Sequence, residues 1–287
     1  MADRTFPDPV ISVCLAASTR GEQEKLGHAL REMAQFDPSM RLSDDRESGQ
    51  TILHGMSELH LEIIIERLRV EFGVEANVSR PQIAYRETIT RPASHLYTHV
   101  KTVSGCTQYA AVRIEFEPLK RGHGFEFVDK SVDTAIPREF APAVEHGIRM
   151  QKEEGVLAGF PTVDFRATLI DGGYSNADST TVAFEAAARA CFSEGILQAG
   201  PILLEPVMEV GVVTPENYLG DCIGDLNRRR GRILEQLDRG TNLAVLAHVP
   251  LSEMFGYIGD LRSMTSGRAT FAMEFSRYEA VPHDIAD

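Results

Sequence analysis

The chain has 287 residues, of which 43% are hydrophobic and 25% are charged, and its formal net charge is −13. This composition is typical of a globular protein with two or three domains, and it argues against disorder, collagen-like repeats and coiled coils. No apolar run approaches the roughly 18 residues that span a membrane, and the start lacks the pattern of a secretory signal. Because the acidity is spread along the chain, we do not expect a nonspecific coat of nucleic acid, although small basic patches leave room for local RNA contact.

The cysteines and histidines indicate no disulfide and no metal site. The four cysteines lie far apart without a C-x-x-C pair, which is typical of reduced thiols in a cytoplasmic protein. In the cluster His54, Glu58, His60 and Glu62, residues 58 and 62 share one helix face but residue 60 points elsewhere. Since no nucleophile-plus-base pattern occurs either, we expect no metal and no catalytic residue in this chain.

The first segment predicts a β-α-β-β-α-β unit. Its predicted elements are, in order, a strand at 10–16, a helix at 22–36, a hairpin at 40–42 and 51–54 with a polar turn around 45–49, a helix at 58–72 and a strand at 74–78. Thr19 and Glu22 form a capping box for the first helix, and Ser57 caps the second, which Gly73 ends. This order closes a four-stranded antiparallel sheet with both helices on one face.

The last segment repeats the same plan. Its predicted elements are a strand at 207–213, a helix at 216–227, a hairpin at 232–235 and 243–249, a helix that begins near 252–254 and a strand at 268–275. Thr214 is the expected N-cap of the first helix, with Pro215 at its first position, and Ser252 the expected cap of the second.

The middle segment differs from both flanks. Its predicted elements are strands at 96–102, 109–118 and 125–130, a helix at 137–154, a strand at 162–170 and a helix at 180–197. The connections at 104–108 and 171–179 are expected to project together at one tip.

Four motifs, in order, carry a resemblance that covers essentially the whole chain: Ser57–Glu62, Arg80–Glu87, Asp221–Gly231 and Val249–Tyr257. Together they resemble the C-terminal domains III, IV and V of translation elongation factor G. The resemblance implies an α+β fold with two ferredoxin-like sandwiches that flank a mixed α/β domain IV, similar to domain 2 of ribosomal protein S5. It places domain III at 1–88, domain IV at 89–204 with completion by 276–287, and domain V at 205–275.

The family's GTPase domain has no counterpart in these residues. No Gly-Lys dipeptide forms a phosphate-binding loop, and no Asn-Lys-x-Asp motif is present. Because residues 6–9 resemble the beginning of domain III, the resemblance implies that the GTPase domain, with its GTP and Mg²⁺, would precede residue 1. We therefore expect no cofactor in this chain and no GTP hydrolysis by it alone, while the full-length parent would be a GTP hydrolase.

The resemblance also implies site residues at the tip of domain IV and in domain V. In the tip, Gly172 and Gly173 are expected to allow a sharp turn. Tyr174 is expected to offer a stacking face, and Asp178 to cap the next helix. Ser175 stands where the family usually has His, and Asn176 where it usually has Asp. The tip candidates are Ser104, Gly105, Cys106, Thr107, Gln108, Gly172, Gly173, Tyr174, Ser175, Asn176 and Asp178. The candidates for ribosomal RNA are Arg228, Arg229, Arg230 and Arg232, the densest positive charge in the chain.

The function that the resemblance implies is tRNA–mRNA translocation during protein synthesis, by a cytoplasmic, monomeric ribosome-binding module. Its expected partners are ribosomal RNA of both subunits, ribosomal proteins and the tRNA–mRNA complex in the A site, with no membrane. Because the tip departs from the family pattern, a ribosome-recycling or ribosome-protection paralogue remains an alternative. The third reading is a stand-alone protein that only shares the architecture.

Overall fold

A computed structural model describes residues 9–17, 19–44, 51–79, 82–103, 106–132 and 134–282. The strands are β1 (Ile11–Ala16), β2 (Arg41–Asp44), β3 (Thr51–Gly55), β4 (Asn77–Val78), β5 (Gln82–Ile83), β6 (Arg86–Ile89), β7 (Ala93–Val103), β8 (Cys106–Pro118), β9 (Phe125–Asp129), β10 (Phe165–Gly173), β11 (Pro201–Pro215), β12 (Arg232–Arg239), β13 (Asn242–Pro250) and β14 (Thr270–Ala280). The α-helices are α1 (Arg20–Phe36), α2 (Glu58–Phe72), α3 (Ala141–Glu154), α4 (Thr181–Gln198), α5 (Leu219–Arg228) and α6 (Tyr257–Thr265).

The chain divides into two compact units. The first comprises the described residues up to Ala84 together with Glu205–Glu279, and the second comprises Tyr85–Leu204 with the residues from Ala280 on. The division of the sequence into three domains stays a prediction.

The sheet at the start of the first unit has the strand order β2-β3-β1-β4, with β5 also paired to β1. This order confirms the predicted β-α-β-β-α-β unit. Thr19 and Glu22 form the expected capping box, Ser57 accepts from the backbone of His60, and Gly73 ends α2 at φ +63°. The closing strand is shorter than predicted because the backbone N–H of Val74 still bonds a carbonyl of α2 instead of pairing in the sheet. The predicted turn at 45–49 lies outside the described residues.

The second sheet of this unit repeats the topology with the order β12-β13-β11-β14, but its helices begin differently from the prediction. Thr214 caps no helix: it is fully buried in β11, its hydroxyl donates to the Pro215 carbonyl, and a 3₁₀ turn at Glu216–Tyr218 precedes α5. Ser252 lies in another 3₁₀ turn, and α6 begins only after Gly256, whose φ is +70°. In both cases a turn that follows a proline stands where the cap was expected.

The two sheets of the first unit share one hydrophobic core. Buried side chains of both belong to a continuous cluster, among them Leu15, Leu26, Leu53, Leu68, Met208, Leu226, Val245 and Leu261. The carboxylate of Glu58, at the first turn of α2, accepts a hydrogen bond of 2.9 Å from the backbone N–H of Gly256. This joint packing was not predicted from the sequence.

The second unit is built on a sheet with the order β7-β8-β10-β9, in which β9 runs parallel to β10. Helices α3 and α4 pack against each other, and Gly147 allows the approach because a Cβ there would lie 2.6 Å from the Glu185 carbonyl oxygen. Phe116, Phe165 and Phe192 form an aromatic cluster in the core of this unit. The predicted helix at 137–154 begins as a 3₁₀ turn and becomes α-helical at Ala141. The α+β fold class is thereby confirmed.

Candidate functional site

The two segments that were predicted to form a tip lie side by side in the second unit. The backbone N–H of Tyr109, near the start of β8, donates to the Asp178 carbonyl at 3.0 Å. The hydroxyl of Ser179 donates to the Tyr109 carbonyl at 2.7 Å. Ser104 and Gly105 lie outside the described residues. The three candidates that follow them are in β8, where Cys106 pairs with Val103, Thr107 with Thr102 and Gln108 with Lys101.

The prediction that Gly172 and Gly173 form a sharp turn is wrong. Both lie in β10, opposite Val112 and Ala111 of β8. A Cβ at Gly172 would overlap the Ala111 carbonyl oxygen, and one at Gly173 would lie 3.1 Å from the Tyr109 hydroxyl. These glycines therefore allow close contact between strands and a tyrosine ring, and the turn begins after them.

Hydrogen bonds inside the loop that follows β10 fix the position of its polar side chains. The Ser175 N–H donates to the Ser179 hydroxyl at 2.9 Å, and the Ser175 hydroxyl donates to the Asp178 carboxylate at 3.1 Å. Asp178 does not cap α4, because Thr180 accepts from the Ala183 N–H instead. Ser175 and Asp178 are half-buried, so the candidates that face solvent here are Tyr174 and Asn176.

The four arginines at 228–230 and 232 are not one free positive patch. Arg228 is 78% exposed, although one of its nitrogens lies 3.0 Å from Asp225. Arg232 is exposed, and no ion pair is found for it within the described part of the chain. The side chains of Arg229 and Arg230 are only 15% and 23% exposed. Only the first and last members of the group therefore point to solvent.

Arg229 is held by two carboxylates and an aromatic ring. It donates to Asp225 at 2.8 Å and to Asp260, and its guanidinium lies 5.0 Å from the centre of the Tyr257 ring. Burial alone would lower the pKa of Arg229, but the hydrogen bonds and charges of the two aspartates raise it above its ordinary value. This arginine remains charged and joins α5 to α6.

Arg230 anchors the end of α5 to β11 and to the turn before α6. Both of its terminal nitrogens bond the Glu205 carboxylate, at 3.0 and 2.6 Å, and its Nε donates to Glu253 at 3.0 Å. Arg230 has a φ of +56°, a left-handed backbone that non-glycine residues rarely adopt. Burial opposes the charge, whereas Glu205 and Glu253 raise the pKa of Arg230. Ser252, which was expected to cap a helix, accepts from this arginine at 3.3 Å.

The acidic partners of these arginines were not predicted from the sequence. Asp225 lies three and four positions before Arg228 and Arg229, a spacing at which side chains on a helix meet, so this pair was visible in the sequence. Glu205 lies 25 residues before Arg230, on a different element, and no local pattern points to it.

A second missed feature is the buried carboxylate of Glu87 in β6. Glu87 is completely buried and accepts four backbone N–H bonds from the loop that follows α3. The donors and distances are Val156 at 2.8 Å, Leu157 at 3.0 Å, Ala158 at 2.7 Å and Phe160 at 3.2 Å. This carboxylate therefore fixes the loop's conformation.

Where the structure describes them, the histidines and cysteines bring no metal site together. His60 bonds Asp37 at 2.9 Å and His95 bonds Glu194 at 2.9 Å. Across the described ranges, no group of three or more His, Cys, Asp or Glu side chains could hold a metal ion. Burial raises the pKa of the Cys191 thiol to about 12, which makes it unreactive at neutral pH.

None of the helices in the described residues is both long and apolar enough to cross a membrane.

Comparisons with known proteins account for nearly the whole chain. Residues 6–80 match the family model of elongation factor G domain III, residues 81–200 that of domain IV, and residues 202–287 that of the elongation factor G C-terminus. The chain is 54% identical over 282 residues to elongation factor G of Granulibacter bethesdensis and 52% identical over 283 residues to that of a Wolbachia pipientis strain. Each alignment covers 98% of this chain and 41% of the relative.

A crystal structure from Thermus thermophilus has the same architecture. It superimposes with a TM-score of 0.76 at 37% identity, over 99% of this chain and 42% of the other. The chain thus spans about two fifths of the length of these relatives. On these matches, the chain belongs to the elongation factor G family and represents its C-terminal domains.

Proposed function

We propose that this chain is the ribosome-engaging portion of an elongation factor that moves the tRNA–mRNA complex during protein synthesis. The observation that carries the proposal is the loop after β10, within the match to domain IV. Internal hydrogen bonds fix this loop while Tyr174 and Asn176 face solvent. Because the backbone that carries these two side chains is held before binding, less backbone conformational entropy is lost when the loop meets its partner.

In this proposal the tip binds RNA through one ring and one amide. The Tyr174 ring supplies a face on which a base or sugar can stack, and the Asn176 amide supplies both a donor and an acceptor. Ser175 acts from within the loop, because its hydroxyl is bonded to Asp178. The partner would be the tRNA–mRNA complex in the ribosomal A site.

In domain V, fewer arginines are proposed to contact ribosomal RNA than the run of four suggests. Arg228 and Arg232 face solvent and are the proposed contacts to ribosomal RNA. In the full-length protein, a GTPase domain with GTP and Mg²⁺ would supply hydrolysis, and this chain would bind no cofactor. The protein would work as a monomer in the cytoplasm. No observation favours the recycling, protection or stand-alone alternatives.

Co-sedimentation with whole ribosomes at low and moderate salt tests the proposal. We expect the 287-residue chain to pellet at low salt and to be released as salt increases, because phosphate contacts release counterions. The variant with Arg228→Glu and Arg232→Glu should lose this binding. A matched control carries Arg262→Glu and Arg268→Glu, the same charge change at exposed positions of the same domain. Failure of the wild-type chain to pellet at low salt contradicts ribosome binding, and equal loss in both variants contradicts the assigned arginines.

The tip is tested separately in the full-length protein. Ser175→His restores the residue that the family usually has at this position and removes the hydroxyl that bonds Asp178. If the tip has been retuned for another ribosomal state, the single-round translocation rate should change. An unchanged rate would show that this position does not set the rate.

A further inference from the structure

The sheet of β11 to β14 has one face that is turned away from its helices. Successive residues of a strand point to opposite faces. Met208, Val210 and Val212 of β11 belong to the core beneath α5 and α6. Glu209 and Gly211, between them, therefore point to the other face, as does Leu246, which pairs with Gly211 across the sheet.

A pocket of about 320 Å³ lies on this outer face, lined by Glu209, Leu234, Glu235 and Leu246. The missing side chain of Gly211 contributes to the opening, because only the Leu246 Cδ2, at 3.9 Å, comes within 4 Å of where a Cβ would be. Leu234 is 40% exposed and contributes an apolar side chain to the rim of the opening. Two leucines and two carboxylates thus surround one opening.

Among the described residues, neither carboxylate of this pocket forms an ion pair with an arginine or a lysine. The ring of His248 lies beside Glu209, with its Nε2 3.7 Å from the carboxylate. Burial, and then the charge of Arg277, lower the pKa of His248, so the ring is neutral at pH 7 and does not balance Glu209. For Glu235, the described residues contribute no ion pair. Arg277 is engaged with Glu279 and with the His248 ring. Arg232 pairs with His248 across the sheet, and its charge also lowers the pKa of that ring.

We propose that this pocket binds a lysine or arginine side chain from a basic segment of another protein, which lies across the outer face of the sheet. The aliphatic stem of such a side chain packs on the leucines while its charged head meets the carboxylates. An anionic or purely apolar group would leave two carboxylates desolvated without partners. Next to the pocket, the sheet continues through the half-buried side chains of Val213 and Leu237, which give the residues that flank the cation a surface to contact.

Fluorescence anisotropy with a labelled peptide of eight alternating lysine and leucine residues tests this site without ribosomes. We expect the 287-residue chain to bind this peptide, and to bind no peptide in which glutamate replaces each lysine. The double variant Glu209→Gln and Glu235→Gln should weaken binding at least tenfold, since it removes both charges at constant size. A matched control carries Glu216→Gln and Asp221→Asn, which remove two exposed charges from the helical side of the same domain.

The control variant should bind the lysine peptide within about twofold of the wild-type affinity, because its substitutions lie away from the pocket. Three results would overturn the proposal. The first is an equal loss in both double variants, which would mean that only net charge matters. The second is the absence of binding to the lysine peptide at millimolar concentration. The third is displacement of the peptide by spermidine at an equal concentration of charge, which would assign the pocket to small polyamines instead of a protein segment.

Discussion

Replacing Glu87 by Gln changes one oxygen of the buried carboxylate into an amide group and leaves the shape almost the same. The native carboxylate accepts four backbone N–H bonds of 2.7–3.2 Å and has no exposed surface. The remaining carbonyl oxygen of Gln can accept two of these bonds, but its amide group would face the other two N–H donors. Each buried donor left without a partner costs about 1–3 kcal/mol.

The expected loss in the free energy of unfolding is therefore about 2–6 kcal/mol, the sum for two unsatisfied donors. Urea denaturation followed by far-UV circular dichroism measures this loss. The matched control is Glu139→Gln, an exposed carboxylate in the same unit, for which we expect a change within about 0.5 kcal/mol.

Hydrogen exchange shows whether the loss of stability arises in the loop that Glu87 binds. The amides of Val156, Leu157, Ala158 and Phe160 should exchange faster in Glu87→Gln, because their acceptor is lost. If the free energy of unfolding of the variant lies within about 1 kcal/mol of that of the wild type and these four amides keep their protection, the Glu87 carboxylate does not hold the loop.

Three other substitutions test separate parts of the structure. Arg230→Ala should cost about 3–5 kcal/mol in urea denaturation, because it leaves the buried Glu205 without its partner, whereas Arg228→Ala should cost less than about 0.5 kcal/mol. Gly172→Ala should lower stability by about 1–3 kcal/mol, since its Cβ would overlap a carbonyl oxygen of β8, and a neutral result by thermal denaturation would show that the strands adjust. Burial, followed by the charge of a nearby arginine, lowers the pKa of His54 from 6.5. The unfolded chain therefore protonates His54 at a higher pH than the folded chain does, and the free energy of unfolding should fall as the pH drops below about 6.5. His54→Gln should flatten that part of the profile, and an unaltered slope would exclude His54 as the cause.

Features that depend on local chemistry were predictable from the sequence. Thr19 and Ser57 cap the starts of α1 and α2 as predicted, and Gly73 ends α2 in a left-handed conformation. These features were predictable because caps and helix ends involve residues only a few positions apart. The order of strands and helices followed from periodicity, and it held in both sandwiches.

Features that depend on distant contacts were not predictable. Ser252 has the sequence context of a helix cap, yet its hydroxyl accepts from Arg230, 22 positions away. Gly172 lies in a polar, glycine-containing stretch that predicts a turn, but the close approach of β8 decides its role. The carboxylate of Glu87 finds its donors 69 to 73 positions further on, and nothing in the local pattern reveals them.

The arginine pairs determine which variants can reveal a contact between the C-terminal sandwich and RNA. Reversing Arg229 or Arg230 to Glu would place a new carboxylate against Asp225, Glu205 or Glu253, and would leave buried acidic groups without partners. Loss of ribosome binding would then report damage to the domain and not the loss of an RNA contact. Arg228 and Arg232 can be reversed without breaking a buried pair, because Asp225 keeps its bond to Arg229 when Arg228 is changed. A contact between this domain and ribosomal RNA is therefore tested by the two exposed members of the run alone.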